Sequence, residues 1–393
     1  MRNPDRHPLS VEIEFSPPEP PDASLNDHRG ATLVETSVDL QIASTLPRDK
    51  WLLASLLQKS IRRGDATYAS AAADVLTTID VTYLARRLPV IAYEDVGIAN
   101  FPLVDAVRHA SRDLTNGDAS ARAARIACTL AGSVKSRTAC DILSLCSFSP
   151  EVNSLERGLA RKRVPGLIKT IADSEVTVLE RAVALRRLMG VRTDGCPPLA
   201  LGRDERAVAM AEVFRVLKLP PIAAEVVLRG GQTQGLNTAI PLAFALLDAS
   251  GMVAIESRHQ GELGDAKVNG LPAYVADMYT RPGQAAFRAL LRSSLELRSL
   301  LDRYVAPRDQ VRCLGFLVFH VEGSLMDRWL SFPAANEILA ETEAVECRHV
   351  GIVDLWAART IKEWLRTHLP LLNIARAEAL TRAASSVPIP FTA

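Results

Sequence analysis

The sequence predicts an all-α protein: multi-helix bundles in two helical regions behind a disordered N-terminal arm. Three observations lead there. Ala, Leu and Arg dominate a chain of 393 residues in which aromatics are only 5%, and unbranched side chains lose little rotamer freedom in a helix. Apolar residues recur at helical spacing from Trp51 onward, with Leu52, Leu53, Leu56 and Leu57 on one face. Gly and Pro punctuate the chain at intervals suited to helix ends rather than to strands.

The arm, 1–45, carries Ser16-Pro17-Pro18-Glu19-Pro20-Pro21 and too little apolar surface to offset the entropy of ordering. Within it, 31–43 alternates loosely and reads as a short strand or an adaptor. The first helical region, 46–150, opens with a helix that runs from Trp51 to a stop at Gly64. Further helices fall at 68–76, 83–94, 103–113, 119–131 and 138–146. A break at 147–153 separates this region from the second, 154–393. There 156–169, 175–189, 204–217, 238–249, 282–304 and 353–380 are predicted helical. The apolar run 313–321 suits a buried helix or a strand equally, because periodicity does not separate the two.

Hydrophobic residues make up 48% and charged residues 23%, with a net charge of +1. No global field therefore draws the chain to nucleic acid or membrane, and contact with either needs a local patch. The six cysteines form no CxxC pair and read as small buried hydrophobes in a reducing, cytoplasmic compartment. No apolar stretch reaches the ~18–20 residues of a membrane span, and MRNPDRHPLS lacks the apolar centre of a signal peptide. No metal or cofactor is expected. Cys347 and His349 lack a second ligand pair, and His259 with Glu256, Glu262 and Asp265 lacks the HExxH register of a zinc hydrolase.

Several polar groups stand out. Lys59, Arg62 and Arg63 crowd a helix C-terminus, where they contact phosphate or complement the helix dipole. Lys135 and Arg137 flank Ser136 at a helix start, a place suited to an anion or an ordinary cap. Arg157, Arg161, Lys162, Arg163 and Lys169 form the densest basic stretch, which suits nucleic acid, an acidic partner helix or a solvated face. Arg86 and Arg87 precede Glu94 and Asp95, so an ion pair to that turn or to Asp65 is expected. Tyr274, Asp277, Thr280 and Arg281 make a polar cluster before a long helix, part of which is explained by Thr280 initiating that helix with Pro282 in its first turn. Gly230–Asn237 has phosphate-loop glycine spacing, but Leu236 and Asn237 replace the Lys and Ser/Thr that such a loop needs, and a turn capped by Asn237 is expected.

Three segments occur in an order and spacing known elsewhere: LLQKSIRRGD from Leu56, YLARRL through IAYEDVGIA from Tyr83, and LAGSVKS from Leu130. Together they resemble the C-terminal helical region of the replication-associated recombination protein A family (RarA, clamp-loader-like AAA+ ATPases). The resemblance covers about a quarter of the chain. It implies a helical module for oligomer assembly in proteins that work on DNA at stalled replication forks. The family's ATPase would precede Trp51, where this sequence is short and Pro-rich, and the chain has no GxxxxGK[ST] loop. ATP hydrolysis is therefore not expected. The implied role is a non-catalytic DNA replication or recombination factor, with DNA, a clamp-loader-like AAA+ ATPase, a single-strand-binding protein or further copies of the chain as partners. Two other readings stand beside it: a regulatory subunit that binds such an ATPase, and an enzyme with a site near Tyr274–Arg281.

Overall fold

The computed structural model describes residues 38–191, 199–230, 235–259, 264 and 266–385. These belong to one compact unit. The fold is all-α, with two short two-stranded ribbons among the described residues. Most of the expected arm lies outside the described residues; at its end, α1 (Leu40–Thr45) is capped by Asp39.

The first region forms as the periodicity predicts. α2 (Lys50–Arg62) buries Leu52, Leu53, Leu56, Leu57 and Ile61 against α3 (Ala66–Ile91), which also packs on α5 (Ala119–Gly132). The two helices expected at 68–76 and 83–94 are joined in α3 by a kink. Asp80 leaves helical geometry there, and its carboxylate accepts the Tyr83 amide, so it caps the second segment. α4 (Phe101–Arg112) and α6 (Thr138–Phe148) complete the region.

In the second region, two of the expected helices divide. The basic stretch expected as a helix at 156–169 becomes α7 (Val152–Leu159) and α8 (Val164–Ala172), with a turn between them and Pro165 in the first turn of α8. The helix expected at 282–304 breaks at Ser294, whose hydroxyl caps the next segment, into α13 (Arg281–Ser293) and α14 (Leu295–Tyr304). Between α8 and α13 lie α9 (Val178–Leu188), α10 (Arg203–Val216), α11 (Pro221–Arg229) and α12 (Ile240–Ala249). The ambiguous apolar run is helical, α15 (Gln310–Val318). α16 (Pro333–His349) is a helix that the sequence reading missed, and α17 (Leu355–Ser385) ends the described chain with a kink at His368, ahead of Pro370. Leu290, Leu297, Leu301, Leu314, Ile361, Leu365 and Leu372 join the core shared by α13, α14, α15 and α17.

The expected boundary between 46–150 and 154–393 is crossed by main-chain and side-chain contacts. β2 (Lys267–Val268) pairs antiparallel with β3 (Leu271–Pro272), β1 (Ala254–Ser257) pairs antiparallel with β4 (Arg328–Ser331), and Lys135 adds a parallel bridge to Trp329 on β4. The Lys135 amide donates to the Arg328 carbonyl at 2.9 Å, and the Leu330 amide donates to the Lys135 carbonyl at 2.9 Å.

Candidate functional site

The last turn of α2 carries Lys59, Arg62 and Arg63, and all three are buried. Their partners come from two π-helical turns, Ala92–Val96 and Phe319–Gly323, and from the segment before α13. A π turn leaves the regular i→i−4 ladder and frees local carbonyls, and these guanidinium groups take them up. Arg62 donates to Asp95 Oδ1 at 2.7 Å and to the Gly323 carbonyl at 2.6 Å. Arg63 donates to the Glu322 carbonyl at 2.6 Å and lies over the Tyr274 ring, 4.2 Å from its centroid. Lys59 donates to the Tyr274 carbonyl at 2.5 Å and to Asp277 Oδ2 at 2.6 Å. Burial lowers the Lys59 pKa, and the Asp277 carboxylate opposes that fall.

Asp95 is the centre of the cluster and is fully buried. Burial by itself would raise its pKa; Arg62 and Arg137 outweigh that and hold it at about 2. Arg137 reaches Asp95 Oδ1 at 2.8 Å. Glu322 is held below the usual carboxylate range in the same way: burial pushes up, and the buried Arg376, bonded to it, pushes down harder.

Four of the candidate phosphate contacts are placed in the interior. Lys59, Arg62, Arg63 and Lys135 are inside the protein, bonded to its own carbonyls and carboxylates, so none presents its charge to a nucleic acid in this fold. Lys135 Nζ donates to the Ala131 carbonyl at 2.8 Å and approaches Asp327 Oδ1 at 3.4 Å. Arg137 is likewise committed to Asp95. The residues expected to form ion pairs are placed as follows. Arg87 approaches Glu94 at 3.8 Å, whereas Arg86 is exposed and donates to the Thr82 carbonyl within its own helix. Asp65 caps α3 through the Tyr68 amide. Tyr274, Asp277 and Thr280 are buried and engaged: the Tyr274 hydroxyl shares a hydrogen bond with Ser60, and Thr280 caps α13 at Gly283. Arg281 is exposed. The cluster thus forms an internal joint rather than a cleft.

The exposed cations lie elsewhere. Arg157, Arg161, Arg163 and Lys169 are exposed on α7, the turn after it and α8, with no side-chain partner among the described residues. Lys162 is the exception, donating to Thr170 at 2.7 Å and lying 3.7 Å from Glu180.

A third group escaped the sequence reading. Asp141 on α6, His320 in the second π turn and Glu346 on α16 form an acid–histidine cluster, with His320 Nε2 at 3.4 Å from Glu346 Oε2. Burial pushes the Asp141 carboxyl up to about 6; Arg137 opposes the shift and Glu346 adds to it. No local pattern ties these three residues together, since they are brought together only by packing between the two regions. Of the cluster expected around His259, Glu256 is exposed on β1, and Glu262 and Asp265 lie outside the described residues. Residues 231–234 of the glycine loop lie outside them as well; Asn237 donates back to the Val227 carbonyl at 3.4 Å. Among the described residues, no group of three His, Cys, Asp or Glu is placed to hold a metal, and no helix is long and apolar enough to cross a membrane.

No family model, curated protein or solved structure matches the chain.

Proposed function

We propose that this chain is a non-catalytic DNA replication or recombination factor, in which the 46–150 region is an internally braced scaffold and the α7–α8 basic face meets DNA phosphate. One observation carries the reading: four cations, Arg157, Arg161, Arg163 and Lys169, project into solvent without a partner among the described residues. The resembling segments do not reach these residues, and four of their own cations, Lys59, Arg62, Arg63 and Lys135, are buried. Charged side chains left unpaired on one stretch supply the sequence-independent part of nucleic-acid affinity, which weakens as salt rises.

The test is a titration of duplex and single-stranded DNA at several salt concentrations. Binding whose logarithm falls linearly with log salt, and whose slope drops by about one for each cation removed, supports the proposal. Binding that is absent at low salt, or unchanged when Arg157, Arg161 and Arg163 are replaced by Glu, ends it. The alternative of a regulatory subunit for a clamp-loader-like ATPase is separated by recovery of such an ATPase on the immobilised protein in the absence of DNA. The enzyme reading is disfavoured, because Tyr274, Asp277 and Thr280 are each occupied by a structural partner.

A further inference from the structure

The ribbon that Lys135 joins has a bare edge. β1 is hydrogen-bonded to β4 on one side, and among the described residues no strand lies on its other side. Residues 251–257 are all exposed, with Met252 at 69% and Ile255 at 52%. β1 is thus open to solvent on both faces as well as along one edge.

The register fixes which main-chain groups point outward. The Arg258 amide donates to the Asp327 carbonyl at 2.8 Å, and the pairing continues as Glu256 with Trp329 and Ala254 with Ser331. Alternate residues of an antiparallel strand turn their amide and carbonyl to opposite sides. Ala254, Glu256 and Arg258 therefore face β4, while Ile255 and Ser257 point theirs away from it. The far side of β4 agrees, since Arg328 and Leu330 bond to Lys135 there. An unpaired row of this kind is a template for another strand, and proline or lysine commonly blunts it. This edge carries neither, and Val253 and Ile255 are exposed along it.

Charge selects the occupant. Glu256 is exposed, and Arg258 lies over the Trp329 ring, 4.7 Å from its centroid, and reaches the Met326 carbonyl at 3.5 Å. Neither meets an opposite charge among the described residues. The two stand two residues apart and so share one face of the strand. A second β1, turned antiparallel about Ser257, sets each Glu256 opposite the other copy's Arg258. Those are non-hydrogen-bonded positions of the new ladder, where side chains approach most closely. The neighbouring registers are poorer. One centred on Glu256 opposes like charges, and one centred on Ile255 sets Glu256 against Ala254. One centred on Ala254 runs Ser257 against Gly251, whose φ of +63° is not a strand conformation.

We propose that β1 is a self-association edge, at which two copies of this chain join through an antiparallel β1–β1 ladder centred on Ser257. A two-fold axis there makes the patch complementary to itself. The contact is a few residues long and falls short of the ~1,200 Å² of a standard stable interface, so the dimer is weak and forms as concentration rises. The inference does not rest on DNA binding at α7–α8.

The experiment is sedimentation velocity on the full chain over a range of concentrations, without nucleic acid. The expected result is a monomer–dimer equilibrium that each of three changes weakens about tenfold. Ile255→Pro removes an amide that points away from β4, so the β1–β4 ladder keeps its bonds. Glu256→Arg and Arg258→Glu each place like charges across the new ladder. Equal parts of these two charge variants should associate as the unaltered chain does, because each then meets the opposite charge. Circular dichroism melts establish that the variants fold, and the mixing result does not depend on the proline. A chain that stays monomeric up to about 0.5 mM overturns the proposal, as does a dimer that Ile255→Pro and Glu256→Arg leave intact. Charge variants that stay apart when mixed overturn it too, because they exclude the Ser257 register.

Discussion

Two basic stretches of similar composition meet opposite fates in this molecule. Lys59, Arg62 and Arg63 end α2 and are buried, whereas Arg157, Arg161 and Arg163 end α7 or follow it and are exposed. Lys59, Arg62 and Arg157 sit in last turns, where the dipole favours cations, while Arg163 stands at the N-cap of α8, so the helix dipole does not decide which set is buried. The difference lies in what packs on top. Over α2 the chain places two π turns, Asp95, Asp277 and main-chain carbonyls that accept from Lys59, Arg62 and Arg63. The side chains of Arg157, Arg161 and Arg163 are instead left exposed. Burying a cation is costly unless acceptors take up its donors, and the α2 end draws its acceptors from three distant parts of the sequence.

The sharpest way to break this contrast is Arg62→Met. It removes two bonds from Asp95 and leaves the Gly323 carbonyl without its donor, so chemical denaturation should show a loss of about 3–5 kcal/mol. The equivalent change on the exposed side, Arg161→Met, should stay within about 0.5 kcal/mol. Next comes the close approach that seats Asp277 under Lys59. Gly283, in the first turn of α13, lies against the Asp277 backbone, and a Cβ there would overlap it. Gly283→Ala should cost about 1–3 kcal/mol, read as a lower melting temperature.

The pH dependence separates the two carboxylates flanking Arg137. Asp95 is depressed to about 2 in the folded state. Its contribution is therefore present above the unfolded value near ~4 and is lost as pH falls through about 2. Asp141 is raised to about 6, which gives the opposite sign. The folded form holds the proton more tightly, so stability is greatest below ~4 and declines as pH rises through about 6. Asp141→Asn should consequently stabilise the protein by about 1–2 kcal/mol at pH 7.5 and by almost nothing at pH 4, measured by urea denaturation at both values. The smallest stability change belongs to the triple replacement of Arg157, Arg161 and Arg163 by Glu. Its melting curve should nearly match that of the unaltered chain, while its salt-dependent DNA binding is lost.

Most of the helical architecture was legible in the sequence because amphipathic period and caps are local. Leu52 to Ile61 reads as one buried stripe, and Gly64, with φ +74°, ends it where a stop was expected. Three features were not legible. α16 lacks a strong apolar stripe, since Glu337, Glu341, Glu343 and Glu346 interrupt it. The single helix expected across Ser294 breaks because that residue's hydroxyl competes for a backbone amide, a choice made by packing. The interior position of Lys59, Arg62 and Lys135 depends on Asp277, Gly323 and Asp327, each roughly 190 or more residues away in the chain. A charge in a sequence window carries no mark of a partner that distant.

Those remote partners impose an order on biosynthesis. During translation at roughly 5–20 residues per second, the end of α2 is synthesised about 13–50 s before the turn holding Gly323. For that interval Arg62 has Asp95 but lacks the Gly323 carbonyl, and Arg63 lacks the Glu322 carbonyl, so the joint is only partly made. Completion of the joint then depends on the late-arriving half, so a chain stalled or truncated before Phe319 would display cations that the finished molecule conceals.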